Sequence, residues 1–466
     1  MAGSPRRIFL LTPYTGGNLG DQAIQLTLIE NLRKRCPNAD FIGLTLNPRA
    51  TATIHNIPCF PLSPKAAGAK PGTGLYWPEE PTALPDEEPM VTGARSEATS
   101  VAGTPEPLPA STPLNARIRS RLVACLRRVP FLPQTVRTLR ALPREIVFTV
   151  RAARLLRRGD LLIVAGGGQI ADEWGEEWAQ PFSLWRWTAL ARLRGARIAV
   201  ASAGSGRLRS ALSRRLIYGA LRRADYRSYR DQGSAVKAES LGLPDRNRCV
   251  PDIALGLPLP RGRMRLPAHA GTTVGLSPIA YGRQGIWPIT LTEIHENYLH
   301  RLAAFMSGLT AQDLRVVVFT SSHMDRAVVD DLLEIVRGLP DTRTDLIEVA
   351  ETTSLGSLLE VLGTCDLVVA SRLHGVILSH RLGIPTLAIS HHRKVHVHMD
   401  EMGQAQFCLE IERLKEGDLE KRFKSMLSHA DVLHDELCRI VDAARMPLDT
   451  QFDKLASLVC ATPSRS

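Results

Sequence analysis

No run of this 466-residue chain approaches the roughly 18 consecutive apolar residues that a bilayer-crossing helix needs. No Cys-x-x-Cys pair occurs either. The eight cysteines, at 36, 59, 125, 249, 365, 408, 438 and 460, stand singly. That scatter argues against a disulfide framework or a structural zinc site, and for reduced thiols in a cytoplasm. Arg6 and Arg7 precede Ile8-Phe9-Leu10-Leu11, an apolar run too short for a signal-peptide core. The expected location is therefore cytoplasmic. What is present is a globular composition, 44% hydrophobic with mean hydropathy −0.06. The length exceeds one ordinary core and implies two domains with additions.

The net charge of +11 comes mostly from arginine, much of it between Arg117 and Arg158. One reading is a solvated helical face. The other is peripheral contact with anionic lipid on the inner face of a membrane, because stretches such as Arg117-Ile118-Arg119-Ser120-Arg121-Leu122 are basic and amphipathic. The stretch lacks interleaved aromatics and a recognition motif, so no nucleic-acid partner is expected.

The chain alternates strand-like and helix-like segments. Arg7 to Thr12 reads as a strand, Gly16 to Asp21 as a glycine turn, and the segment with Ile24, Leu28 and Leu32 on one face as a helix. That order opens a doubly wound domain. Residues 1–60 and 116–258 form the expected first domain. Between them, 61–115 is rich in Pro, Gly and Ala and is expected to be a mostly disordered insertion, in which Tyr76 and Trp77 read as bare loop or as a local dock. A second alternating block covers 270–425, and 426–466 reads as a helical tail. The fold class is α/β, with two Rossmann-like doubly wound domains facing across a cleft, the GT-B-like arrangement. A cleft between facing strand ends is the expected site.

Ser371-Arg372-Leu373-His374-Gly375 lies between a buried strand and a helix, the edge at which open α/β sheets bind ligands. Helix N-termini favour anions, guanidinium grips phosphate or carboxylate, and imidazole moves protons near neutral pH. Arg372 has a second reading, as a brace for the turn. Asp21 reads as a helix N-cap or as a contact to sugar hydroxyls. Asp172, beyond Gly166-Gly167-Gly168, reads as a turn residue, as a hydrogen-bond partner of acceptor hydroxyls or as their base. Arg230-Asp231 reads as an ion pair or an anion grip, and Asp252 as a turn cap or a cleft residue. The run His391 to His398 suggests a metal cluster at first sight. Its Arg and Lys would repel a cation, and 394, 396 and 398 would share one face of an extended segment; no metal is expected. Tyr281, Arg283 and Trp287 read either as a surface loop with a packed tryptophan or as a sugar-gripping loop.

Taken together, Gly17-Asn18-Leu19-Gly20-Asp21, Gly166-Gly167-Gly168 with Asp172, Arg230-Asp231 with Ser234, Asp252, Ser371 to Gly375, and Gly383-Ile384-Pro385 with Lys394 resemble the polysaccharide pyruvyl transferase family. Both halves are covered, but not 61–115 or the tail. Gln22 stands where glutamate is common in the family. The resemblance implies phosphoenolpyruvate as donor and no further cofactor. The acceptor would be a sugar of a cell-surface polysaccharide or its lipid-linked precursor, and the product a pyruvate ketal. It implies donor binding by Arg230, Arg372, Leu373, His374 and Lys394, and acceptor binding by Asn18, Asp21, Gly167 and Gly168. Catalysis would fall to His374 and Asp172. The rival readings are a nucleotide-sugar glycosyltransferase on the same fold and a peripheral scaffold for glycan assembly at a membrane.

Overall fold

The computed structural model describes residues 6–13, 16–66, 74–78, 132–173, 178–243, 248–259, 271–287 and 289–460. Most of the 61–115 insertion, and the arginines from 117 to 128, lie outside the described residues. Two all-parallel sheets organise the rest. The first contains β1 (Arg7–Leu11), β2 (Asp40–Thr45), β3 (Cys59–Pro61), β4 (Leu161–Ala165), β5 (Arg197–Ala203), β6 (Tyr226–Tyr229) and β7 (Arg248–Cys249), in the order β3-β2-β1-β4-β5-β6-β7. The second contains β8 (Thr273–Ser277), β9 (Arg315–Val318), β10 (Ile347–Val349), β11 (Leu367–Ala370), β12 (Thr386–Ser390) and β13 (Cys408–Glu410), in the order β10-β9-β8-β11-β12-β13. Both orders reverse beside the first strand, so each sheet has a switch point at which a crevice opens.

The central strands are continuous apolar runs because helices cover both faces of a parallel sheet. Leu161-Leu162-Ile163-Val164-Ala165 is buried throughout. On one face of the first sheet, Ile8 and Leu10 pack with helix α1 (Leu19–Arg35) in a core that continues into the second domain. On the other face, Phe9 and Leu11 belong to a separate core with Phe148, Ala152, Leu156 and Trp187. These come from helices α3 (Leu132–Leu155) and α4 (Gln180–Leu193) and the turn after α3. Helix α2 (Pro48–His55) joins β2 to β3, α5 (Ala211–Leu221) joins β5 to β6, and α6 (Gln232–Ser240) follows β6.

The second domain carries α7 (Thr292–Thr310), α8 (Arg326–Arg337), α9 (Leu355–Leu362), α10 (Leu373–Arg381), α11 (Arg393–Glu401) and α12 (Asp418–Ser428). The last helix, α13 (Ala430–Cys460), returns to the first domain. There its Gln451 Nε2 donates to Ser202 Oγ at 3.1 Å, and Gln451 also accepts from the hydroxyls of Tyr226 and Ser228. Arg35 of α1 meets Asp449 and Asp453. The helix is thus a strap between domains rather than a simple tail.

Three sequence expectations change. Residues 393–401 are helical, not extended, because His392 caps the turn and its ring accepts from Lys394 N at 3.2 Å. Helical spacing therefore puts Lys394 and His398, not 394, 396 and 398 together, on one face. The insertion also contributes an ordered contact: Tyr76 exchanges two backbone hydrogen bonds of 2.7 Å with Cys59. An edge strand offers those unpaired groups to any passing chain. Trp77, by contrast, is exposed. Finally, the N-cap of α1 is Asn18, not Asp21; its side chain accepts from Gly20 N and Asp21 N.

Candidate active site

The Gly17-to-Asp21 turn is docked against the second domain. Leu19 N donates to Ser321 O at 3.1 Å and His323 N donates to Gly17 O at 3.0 Å. Gln22 is buried, and its Oε1 accepts from Leu355 N at 3.0 Å, at the start of α9. The departure from glutamate therefore does interdomain work: a neutral amide oxygen serves a helix-start N–H. Gly20 lies directly under the His374 ring, so a Cβ there would overlap the imidazole. A motif in the first domain thus creates the clearance for a side chain of the second.

His374, on the first turn of α10, is largely buried, with Nε2 3.8 Å from Asp252 Oδ2. That nitrogen makes no hydrogen bond. Burial is the main influence and lowers its pKa; Asp252 and Asp21 oppose this, while Arg230 and Lys394 reinforce it. Burial is also the main cause raising the Asp21 pKa, which His374 and Lys394 partly offset. Asn18 Nδ2 donates to Asp21 Oδ2 at 3.0 Å, and Asp21 lies beside Gly167.

Arg230 reaches the same place from the end of β6. Its Nη1 donates to Asp252 Oδ2 at 3.3 Å, and its Nε lies 3.6 Å from Asp231 Oδ2. A bulge in β5 near Ser202, whose φ is 46°, shifts the register there. Such bulges re-aim nearby groups. Beyond it Gly204 passes beneath Arg230, leaving only 2.6 Å between the guanidinium and the place a Cβ would take. Asp231 caps α6 by accepting from Ser234 N at 2.7 Å. Asp252 Oδ1 accepts from Ala254 N at 3.0 Å, so this carboxylate caps a turn and faces the cleft.

Lys394 opens α11 and is half-buried. Burial first, then Arg230 and Arg372, pull its pKa down to about 8. Arg230, Asp231, Asp252, Leu373, Ile377, Lys394, Val397, His398 and Glu401 line one cleft. A larger cavity, bounded by Thr272, Asp366 and His429, lies at the starts of β8 and β11, away from these groups.

Two residues face other work. Asp172 is buried, and its carboxylate accepts from Arg209 N at 3.1 and 2.9 Å and from Ser210 N at 3.1 Å. It holds a turn ahead of α5, which leaves its oxygens little capacity to act as a base. Arg372 makes a two-pronged pair with Asp325, through Nε to Oδ2 and Nη2 to Oδ1, the latter 2.9 Å. Asp325 is wholly buried and also accepts from Ala280 N at 2.9 Å. Arg372 therefore braces its turn through a carboxylate while adding positive field at Lys394 and Asp21.

The histidines of the 391–398 run diverge. His391 packs with Tyr281 and Trp287, His392 caps α11, His396 meets Cys408 Sγ, and His398 stacks on His380. Among the described residues no three His, Cys, Asp or Glu side chains could hold a metal ion. Arg283 pairs with Asp331 at 2.7 Å. Sequence reasoning left Asp252 undecided and missed Gly20 as a clearance, Asp325 as an anchor and Gln451 as a support. Only Asp252, between Pro251 and a short turn, carried a local signal.

Two Rossmann-like domains of this topology, with charged groups gathered between their strand ends, define a GT-B-like fold. The family model described as polysaccharide pyruvyl transferase matches residues 18–393, and the chain belongs to that family. It is therefore a polysaccharide-modifying transferase. Among solved structures, the UDP-GlcNAc 2-epimerase from Neisseria meningitidis aligns over 96% of this chain and 99% of its own, with 8% identity and a TM-score of 0.51. The UDP-GlcNAc 2-epimerase from Methanocaldococcus jannaschii covers 90% and 92%, with 9% identity and a TM-score of 0.48. A chain of the Glycosylation Associate Protein complex from Streptococcus agalactiae covers 66% of this chain and 57% of its own, with 13% identity and a TM-score of 0.44. At such identities the likeness concerns the fold alone.

Proposed function

We propose that this transferase moves the enolpyruvyl group of phosphoenolpyruvate onto a sugar of a cell-surface polysaccharide or its lipid-linked precursor, and closes a pyruvate ketal. The observation that carries the reading is the convergence of Arg230, Lys394 and the start of α10 beside His374, whose Nε2 makes no hydrogen bond. The cations and helix amides suit a donor with phosphate and carboxylate groups. Leu373 walls the same cleft. The acceptor side is assigned to Asn18, Asp21, Gly167 and Gly168 of the first domain, where Asp21 lies beside Gly167.

In this scheme His374 delivers a proton to the terminal carbon of the donor, leaving C2 cationic. One sugar hydroxyl adds at C2 and loses its proton, and the C2–O bond to phosphate breaks. A second hydroxyl then adds and gives up its proton. The methyl group formed and the departing phosphate take up the protons, so the ketal and inorganic phosphate balance the equation. In this scheme Asp21 and Asp252 are the carboxylates that accept those hydroxyl protons. Burial, reinforced by Arg230 and Lys394, lowers the His374 pKa; the negative donor offsets those cations and favours the protonated ring that delivers the proton. Preplaced charge stabilises the developing cation and the leaving phosphate, ordinarily the larger part of such catalysis. The reading sets the reaction in the cytoplasm.

The test offers the purified protein an acceptor glycan with phosphoenolpyruvate carrying labelled carbon, and separately with a panel of labelled nucleotide sugars. Label passing from phosphoenolpyruvate, with one inorganic phosphate released per ketal, supports the proposal. Transfer only from a nucleotide sugar overturns it in favour of the glycosyltransferase reading.

A further inference from the structure

Among the described residues no helix is long and apolar enough to cross a membrane, yet α3 presents an unusual outer face. From Glu145 onward its inner side is engaged. Phe148 and Ala152 enter the second core of the first domain, and Glu145 pairs with Arg186 at 2.7 Å. Arg7 holds the far end through Leu155 O and Asp160. On the opposite side Ile146, Val147 and Val150 are 55%, 49% and 43% exposed. Arg144, Arg151 and Arg154 are exposed on the same arc, since spacings of three and four residues share a helix face. Arg157 and Arg158 extend the charge past the helix end. The one acid between 143 and 158 is Glu145, which is bound to Arg186.

We infer that this face docks on an anionic lipid bilayer. Branched apolar side chains ringed by arginine form the profile of an in-plane interfacial helix, its apolar stripe entering the acyl boundary and its cations meeting headgroup phosphates. A nucleic acid would match the charge but not the apolar stripe, which carries no aromatic ring to stack on a base. The face lies on the side of the first sheet opposite the core shared with the second domain, so docking leaves the cleft open. The inference is independent of the donor assigned above.

The full chain is floated with vesicles of phosphatidylcholine mixed with phosphatidylglycerol, and with phosphatidylcholine alone. Binding to the mixed vesicles, weakened by salt, is expected. Arg144→Gln/Arg151→Gln/Arg154→Gln should weaken it by about a hundredfold, and Ile146→Ser/Val147→Ser/Val150→Ser by at least about tenfold. Both variants replace exposed side chains and should melt with the wild type, a control read by circular dichroism. The proposal is overturned if the wild type ignores the anionic vesicles. It also fails if the triple-serine variant floats as well as the wild type, which would pass the contact to arginines outside α3. Single-stranded RNA binding that depends on the arginines but not on the apolar trio would assign the face to nucleic acid instead.

Discussion

Arg230 and Arg372 occupy similar local positions in the two domains, each in a turn from a strand to a helix. Each follows a buried strand, β6 or β11, and precedes the helix that starts at the cleft. Arg372 is locked in a two-pronged pair with Asp325, a carboxylate that is wholly buried. Arg230 rests at 3.3 Å from Asp252 through one nitrogen and at 3.6 Å from Asp231 through another, and its guanidinium lines the cleft. The same residue type, in the same kind of strand-to-helix turn, is scaffold in one domain and ligand-facing in the other. What separates them is the quality of the protein partner. A fork already matched to a carboxylate has little to offer an anion, whereas a loosely held one can exchange partners when a donor arrives.

The largest effect should come from the residue two positions beyond Arg372. His374→Ala should cut turnover by about 10²- to 10⁴-fold while the melting temperature stays near wild type. Near-normal turnover would remove the imidazole from the chemistry and leave the Arg372 turn purely structural. Next, Arg372→Ala should destabilise the fold by about 3 kcal/mol, because it strands Asp325, and Arg372→Lys should restore little, lacking the fork. Equilibrium denaturation reads both; a stable Arg372→Ala protein would erase the distinction drawn here. Arg230→Gln should do the reverse, raising the donor KM by about 10- to 100-fold with a smaller change in stability.

Lys394→Gln should raise the donor KM by about tenfold at neutral pH, roughly the worth of one hydrogen bond to a charged group. The pH profile tests the charge itself. With a pKa of about 8, Lys394 is cationic below that pH and neutral above it. Donor affinity should fall as pH rises through that region, and the fall should vanish in the glutamine variant. The smallest effect is Asn18→Ala, which removes the α1 N-cap and should cost about 1 kcal/mol. A loss of activity well beyond that loss of stability would show that Asn18 also touches the acceptor.

Much of this architecture was legible locally. A strand such as Leu161–Ala165 advertises burial on both faces, and glycine turns ahead of amphipathic helices mark strand ends at the cleft. The His374 turn was readable for the same reason. The 393–401 helix was not, because its alternating histidines mimic an extended segment until the His392 cap is seen to close the first turn. Nor were Asp325 and Gln451 visible as partners, since each acts on residues far along the chain: Arg372 for the first, Ser202 and Ser228 for the second.

The sequence by itself determined two parallel-sheet domains, the order of the motifs along them and the pool of charged side chains delivered to their edges. Backbone periodicity and glycine placement are local properties and can be read without a partner. Only the tertiary structure decided which of those charges remain available. It spent Asp172 on the amides of Arg209 and Ser210 and Arg372 on Asp325, and left Arg230, Lys394 and His374 lining or facing the cleft. The reason is physical: a charged side chain acts according to the partner it meets, and these partners are brought together by packing, not by neighbourhood in the chain.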